Sequence, residues 1–244
     1  MKKGFTLALA FILSATMLSG CGASGASASK DSGTTAAAGQ TAAADTKAQD
    51  GTSDDIFTWD GTVITGLTEK GKAAETLTIP DKATAIGENA FKNSSVAKVV
   101  WGANVEEIGA YAFKKCEKLT EISIPASVKK IDKYAFSYCQ SLTSLTFSEG
   151  LTEIGNDAFE ATSVPSITLP EGLTTIGESA FNPCPDTTAM YLPASLENIP
   201  GDALGFNFGT TLYVKEGSWA DQHFSDYVPV DYITKDLSFT KANY

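Results

Sequence analysis

A single histidine, His223, stands among 244 residues, and that scarcity removes much of the catalytic repertoire before any pattern is sought. A nucleophile–His–acid triad, a metalloprotease helix and a His-liganded zinc site each need histidine with partners at set spacings, and none is supplied. His223 is therefore read as a cap or surface residue. Gly-x-Ser-x-Gly, a phosphate-cradling glycine loop and Cys-x-x-Cys are missing, as is an Asp-x-Asp-x-Asp-Gly calcium loop. Acidic neighbours such as Glu106-Glu107 and Asp54-Asp55 read as solvated surface rather than a glycosidase pair. No catalytic residue, metal ligand or cofactor is expected, and the chain is read as non-enzymatic.

Long apolar runs are scarce too. The stretch from Phe5 to Leu18 falls short of the ~20 residues a membrane-spanning helix requires. It follows Lys2 and Lys3 and precedes small residues, which is the layout of a secretory signal. Its end, Leu18-Ser19-Gly20-Cys21, resembles the bacterial lipoprotein cleavage motif, and the resemblance implies that Cys21 becomes the lipid-bearing first residue of the mature protein. Residues 1–20 are read as the signal peptide.

Residues 21–55 contain no aromatic residue and, before Asp55, no branched aliphatic one. A segment of Gly, Ala, Ser and Thr cannot bury a core and is expected to be a disordered, lipid-anchored tether. As a flexible coil its 34 residues after Cys21 would reach roughly 30–35 Å. The formal charge is −11, and removal of Lys2 and Lys3 leaves the mature chain at −13. Such acidity argues against nucleic acid and against polybasic contact with lipid headgroups, since both partners are anionic.

What is present in abundance is repetition. Ile86, Ile108, Ile131, Ile154, Ile176 and Ile199 recur at steps of 22, 23, 23, 22 and 23. Four residues after each comes Ala90, Ala112, Ala135, Ala158, Ala180 or Ala203, followed by Phe91, Phe113, Phe136, Phe159, Phe181 or Leu204. A fixed period near 23 predicts a solenoid in which each coil buries its neighbour's apolar face. Alternating pairs such as Ile122/Ile124, Leu145/Phe147, Ile167/Leu169 and Met190/Leu192 have the period of a strand with one buried face. Pro80, Pro125, Pro170 and Pro193 end four of these strands, because a missing N–H interrupts the ladder. A second short segment follows, often closed by Gly (Gly87, Gly109, Gly155, Gly177), then a turn of helical character carrying the Ala-Phe pair.

The unit Leu-x-x-Ile-x-Ile-Pro … Val-x-x-Ile-Gly-x-x-Ala-Phe-x-x-Cys resembles the bacterial surface-antigen leucine-rich repeat family called BspA-type, over roughly Leu77 to Val214. The expected fold is a β-rich leucine-rich-repeat solenoid of about six 22–23-residue coils forming a parallel sheet, with short helical turns, over residues 77–214. Residues 56–76, with Phe57, Trp59, Val63, Ile64 and Leu67, are read as an N-terminal cap hairpin. Residues 215–244 are read as a C-terminal cap and tail, with Trp219, His223, Phe224 and Tyr227 on one helical face. Cys116, Cys139 and Cys184 share a repeat column with Ser94, Thr162 and Asn207. Side chains stacked in one column point the same way, which disfavours a Cys116–Cys139 disulfide.

The residues alternating with the buried strand positions are rich in hydroxyls. One reading is a surface that merely suits stacked strands. The functional reading makes it a docking platform with Tyr191 and Tyr213 as anchors and Thr168, Thr146 and Ser123 along it. A second cluster, Tyr111, Tyr134 and Tyr138, lies near the Ala-Phe turns. The resemblance implies an exported, lipid-anchored surface protein on the outer face of the bacterial membrane, adhering to host or neighbouring-cell proteins. The membrane contact would run through the lipid on Cys21. The alternatives are an envelope scaffold and, less favoured, a solute-binding lipoprotein.

Overall fold

The computed structural model of the chain describes residues 54–205, 210–228 and 240–244. The chain divides into two units, Met1–Thr46 and Lys47–Tyr244. The first, with the expected signal, Cys21 and most of the tether, lies outside the described residues.

The second unit is a three-sided solenoid of about seven coils. One side is a narrow sheet of two-residue strands: Ala85–Ile86, Glu107–Ile108, Lys130–Ile131, Glu153–Ile154 and Thr175–Ile176. They pair in parallel with the isoleucines in register. The hairpin Phe57–Asp60/Val63–Leu67 joins this sheet through parallel pairing of Ile64 with Ile86. Its first strand bonds antiparallel to its second, so it ends the sheet rather than extending the repeat.

The second side, the broad face, runs through Thr76–Thr78, Lys98–Val100, Glu121–Ile124, Ser144–Phe147, Ser166–Thr168, Ala189–Tyr191 and Thr211–Val214. The inward positions Leu77, Ile122, Ile167, Met190 and Leu212 are buried while their neighbours point outward. Its ladder is broken twice, between Val100 and Glu121 and between Phe147 and Ser166, giving groups of two, two and three of these strands, the last extended by a fourth, Thr240–Asn243. Both breaks follow a coil whose second inward residue is aromatic. Trp101 lies edge-on to Phe113 at 6.0 Å and Phe147 edge-on to Phe159 at 5.7 Å. Elsewhere that position holds Ile79, Ile124, Leu169, Leu192 or Val214, all buried. The larger rings fit only partly, and their bulk moves the strand out of pairing range of the next coil.

The third side is the corner wall carrying the Ala-Phe pairs. Where the sequence suggested helical turns, each of the first four corners is two linked turns, and the fifth keeps only the first of them. Asn89, Asn93, Tyr111, Lys115, Tyr134, Tyr138, Asp157, Ala161 and Ser179 all sit at φ between 52° and 61°. Each such residue costs roughly 1–2 kcal/mol. The alternation turns every second amide along the solenoid axis: Tyr111, Phe113 and Lys115 donate to the carbonyls of Lys133, Ala135 and Ser137 in the next coil at 3.1, 2.7 and 2.9 Å. The wall is thus laddered like a sheet without extended strands.

The core lies between the three sides. Phe113, Phe136, Phe159 and Phe181 stack at centroid spacings of 5.0, 5.2 and 5.2 Å with planes within 6°. Phe91 continues the column at 5.1 Å, tilted, and Phe57 of the hairpin meets it at 6.0 Å. All six column alanines are buried. At the corner entry backbones come close: a Cβ on Gly109 would stand 2.8 Å from the carbonyl of Ile86, and one on Gly177 2.4 Å from the amide of Asn156.

At the far end two short helices, Trp219–Gln222 and Phe224–Tyr227, replace the corner of a seventh coil. The first is capped by Ser218 Oγ, which accepts from the Asp221 amide at 3.2 Å. Buried Tyr227 donates to the Ala220 carbonyl at 2.8 Å. Trp219 and Phe224 pack against the continuous core, so its apolar end is covered. The coil count exceeds the expected six because this seventh coil has a strand but no Ile-Ala-Phe signature.

Candidate functional site

The outward positions of the broad face form columns because the strands pair in register. Ser123 is opposite Thr146, and Thr168 is opposite Tyr191, which is opposite Tyr213. The structure therefore places all five sequence-predicted residues at outward positions of the broad face, Ser123 and Thr146 in one ladder and Thr168, Tyr191 and Tyr213 in another, on either side of the break between Phe147 and Ser166. Ser123, Thr146 and Thr168 are exposed. Tyr191 and Tyr213 stack at 4.3 Å with planes 8° apart and are half-buried.

Their partial burial has a cause that the sequence left open, since the tail from Val228 to Tyr244 could be read either as a further strand or as a frayed end. The strand Thr240–Asn243 pairs in parallel with Thr211–Val214 at the open edge of the sheet. Beyond it Tyr244 meets Tyr191 edge-on at 5.5 Å and donates its hydroxyl to the Leu192 carbonyl at 2.8 Å. Lys215, paired with Glu171, lies over the Tyr244 ring. The platform ends in an aromatic trio held by both a π contact and a hydrogen bond. At its other end the first ladder break opens a groove of about 260 Å³ lined by Lys98, Val99, Glu121, Ile122, Ser123 and Thr146. Lys98 and Glu121 face each other across it at 3.9 Å.

The second tyrosine cluster sits on the corner wall. Tyr111 and Tyr134 stack at 4.9 Å with planes 6° apart. Lys114 Nζ lies 5.3, 4.6 and 5.5 Å from the rings of Tyr111, Tyr134 and Tyr138. Asp157 hydrogen-bonds the Tyr134 hydroxyl and raises its pKa, and Glu160 does the same to Tyr138 by its charge and a hydrogen bond. Phenols beside carboxylates stay neutral, so they work as donors and stacking faces rather than as bases.

His223 stacks on Trp219 at 4.5 Å, and its Nδ1 lies 3.0 Å from the Trp219 carbonyl oxygen. Cys116, Cys139 and Cys184 are buried free thiols. Each donates to the carbonyl of a phenylalanine in the preceding coil, Phe91, Phe113 and Phe159, at 3.1–3.2 Å. Burial pushes the Cys184 thiol up to about 11. Hydrogen bonding to Cys116, with burial, pushes Cys139 further up. These are packed structural thiols rather than nucleophiles. Among the described residues no group of His, Cys, Asp and Glu is placed to hold a metal ion, and no helix is long and apolar enough to cross a membrane.

Comparison with known proteins agrees with the architecture. The chain is similar to a T. pallidum leucine rich repeat protein of known structure, at 22% identity and a TM-score of 0.58, over 79% of this chain and 99% of that one. It is also similar to a leucine-rich repeat protein from Bacteroides ovatus at 27% identity and a TM-score of 0.54, over 65% of this chain. The match covers 53% of the Bacteroides protein, about half its length. No curated protein shows significant similarity. The model of the BspA type leucine rich repeat region matches residues 70–188 and 106–211, with six copies of the repeat. With more than half its residues inside that match, the chain belongs to the BspA type leucine rich repeat family.

Proposed function

We propose that this is a non-enzymatic recognition protein that binds a protein partner with the broad face of its solenoid. The single observation that carries the reading is the outward face formed by Ser123 and Thr146, in register with each other, and by Thr168, Tyr191 and Tyr213, in register with one another, with its stacked aromatic end. A face whose side chains are already ordered by stacking and by a ladder loses little entropy on docking. Rigid aromatic residues contribute most to contact energy at interfaces. The partner class is a protein of a host, a neighbouring cell or the envelope, met at the cell surface. A lipid on Cys21 would hold the chain to the outer face of the membrane, with residues 22–55 as the leash; the Leu18-Ser19-Gly20-Cys21 motif supports this part.

The test is capture of a partner by the wild-type chain set against the Tyr191→Ala/Tyr213→Ala variant. Anchors of this kind contribute about 2 kcal/mol or more, so the variant should bind about thirtyfold more weakly. Unchanged affinity would move the site off this face.

A further inference from the structure

Along the corner wall amides are given forward, so the first coil gives three and receives none. Asn89, Phe91 and Asn93 donate to the carbonyls of Ala110, Ala112 and Lys114 at 3.0, 2.8 and 2.9 Å. The matching carbonyls one coil earlier are those of Glu88, Ala90 and Lys92. Among the described residues none of these three has a hydrogen-bond donor. The carbonyls between them, Gly87, Asn89 and Phe91, accept the turn bonds of Ala90, Lys92 and Ser94. Because the ladder amides of the first coil face the second, the three unmet carbonyls face the other way, toward the hairpin.

The hairpin does not complete the ladder. It pairs with the narrow sheet through Ile64 and Ile86, and beyond that pair a groove of about 370 Å³ separates Thr65–Leu67 from Asn89–Ser95. Ala90 lines this groove and keeps 6% of its surface exposed, where the other five alanines of the column keep none. A backbone acceptor in so buried a residue is rarely left without a donor. Gly66 leaves room in front of it, since a Cβ there would stand 3.6 Å from the Ala90 carbonyl oxygen. Beneath the groove Phe57 already meets Phe91 at 6.0 Å. The aromatic slot is filled, and only the backbone ladder is open.

From this geometry we infer that the groove binds a short segment of a partner protein, which adds to the corner ladder as a preceding coil would. Acceptors on alternate residues call for amide donors on alternate residues. A polypeptide backbone has that spacing by construction; a sugar or a nucleotide lacks it. The contact is the corner-wall counterpart of strand addition at an open sheet edge. The chain's own corners specify the segment. Their donors sit at the first, third and fifth residues, with positive φ at the first and fifth, 57° at Asn89 and 58° at Asn93. The segment therefore carries Asn, Asp or Gly at those two positions. Its central residue is small, because Phe57 occupies the place a ring would take. The groove lies on a different side of the solenoid from Tyr191 and Tyr213, so the inference stands apart from the function proposed above.

The probe is the peptide acetyl-Asn-Ala-Ala-Lys-Asn-amide, the sequence of residues 89–93 with Ala in place of the Phe. Titrated into the full chain and followed by carbonyl-carbon NMR, it should shift Glu88, Ala90 and Lys92 to saturation. The same peptide methylated on the amide nitrogen of its third residue loses the donor to Ala90. It should bind at least about fivefold more weakly, the smallest cost of leaving a buried acceptor unmet. Gly66→Ala sets a methyl group in front of that carbonyl and should weaken the unmodified peptide by the same factor. The added methyl has one tight neighbour, the rotatable Thr58 hydroxyl at 3.1 Å, and amide resonances unchanged away from the groove check that the fold persists. The methylated peptide tests the ladder on an unaltered protein. No saturable shift, a methylated peptide that binds as well as the first, or shifts confined to other surfaces would each overturn the inference. So would carbonyl resonances of these three residues that move on dilution of the protein alone, which would give the groove to a second copy.

Discussion

Replacing Phe136 by Ala removes the middle ring of the stacked column. Phe136 is fully buried and lies 5.0 Å from Phe113 and 5.2 Å from Phe159, its plane nearly parallel to both. A buried Phe→Ala change costs ~3–5 kcal/mol. Each stacked pair adds ~0.5–1.5 kcal/mol beyond area, so the loss belongs at the upper end, about 4–5 kcal/mol. In a one-dimensional array the damage falls on two interfaces at once, because the coil loses its contact with the neighbour on either side. A domain of this kind holds roughly 5–15 kcal/mol in all. Urea denaturation followed by far-ultraviolet circular dichroism should therefore show a large fall in midpoint. The transition should also broaden or split as the two halves uncouple. Ser144→Ala, exposed on the broad face, is the control and should stay within about 0.5 kcal/mol. A Phe136→Ala cost of no more than about 1 kcal/mol would refute the idea that the ring column supplies the stability that no single coil has.

Two more expectations concern cysteine. Because burial holds the folded-state pKa of Cys184 at about 11, above the ordinary thiol value near 8.5, the unfolded chain loses this proton first as pH rises. The contribution is fully present below about pH 8.5 and disappears as pH climbs through 11, a fall of roughly 3–3.5 kcal/mol. Denaturation midpoints across pH 8–11 for wild type and Cys184→Ala should diverge by that amount; parallel curves would remove the assignment. Separately, Cys21→Ser should abolish incorporation of labelled fatty acid and release the chain from membranes. Retention of label in that variant would exclude Cys21 as the lipidated residue.

The parts of the fold that were legible in the sequence are those set by volume and period. Ile108, Ala112 and Phe113 repeat at one spacing because each packs on its own copy in the next coil, so the solenoid could be read without any long-range information. The corner conformation could not. Asn89, Asn93 and Asp157 suit a positive φ, but the same positions hold Tyr111, Lys115, Tyr134 and Tyr138, which carry no local preference for it. There the ladder to the neighbouring coil imposes the backbone shape. The breaks in the broad face were hidden for a related reason: Trp101 and Phe147 satisfy the hydrophobic pattern and fail only on size. For the candidate site, the alternation placed Ser123, Thr146, Thr168, Tyr191 and Tyr213 outward, but Tyr244 lies 52 residues beyond Leu192. No periodicity links the two.

The corner ladder also has a polarity. Each coil hands its amides forward and receives from behind, so along this wall the first four coils offer a neighbour the same joint, whereas the hairpin and the paired short helices fit only their own ends. Duplication or loss of one 22- or 23-residue segment would thus lengthen or shorten the rod by a single increment of about 5 Å and leave both plugs seated. Reach becomes a heritable setting, adjustable in whole steps without redesigning the fold.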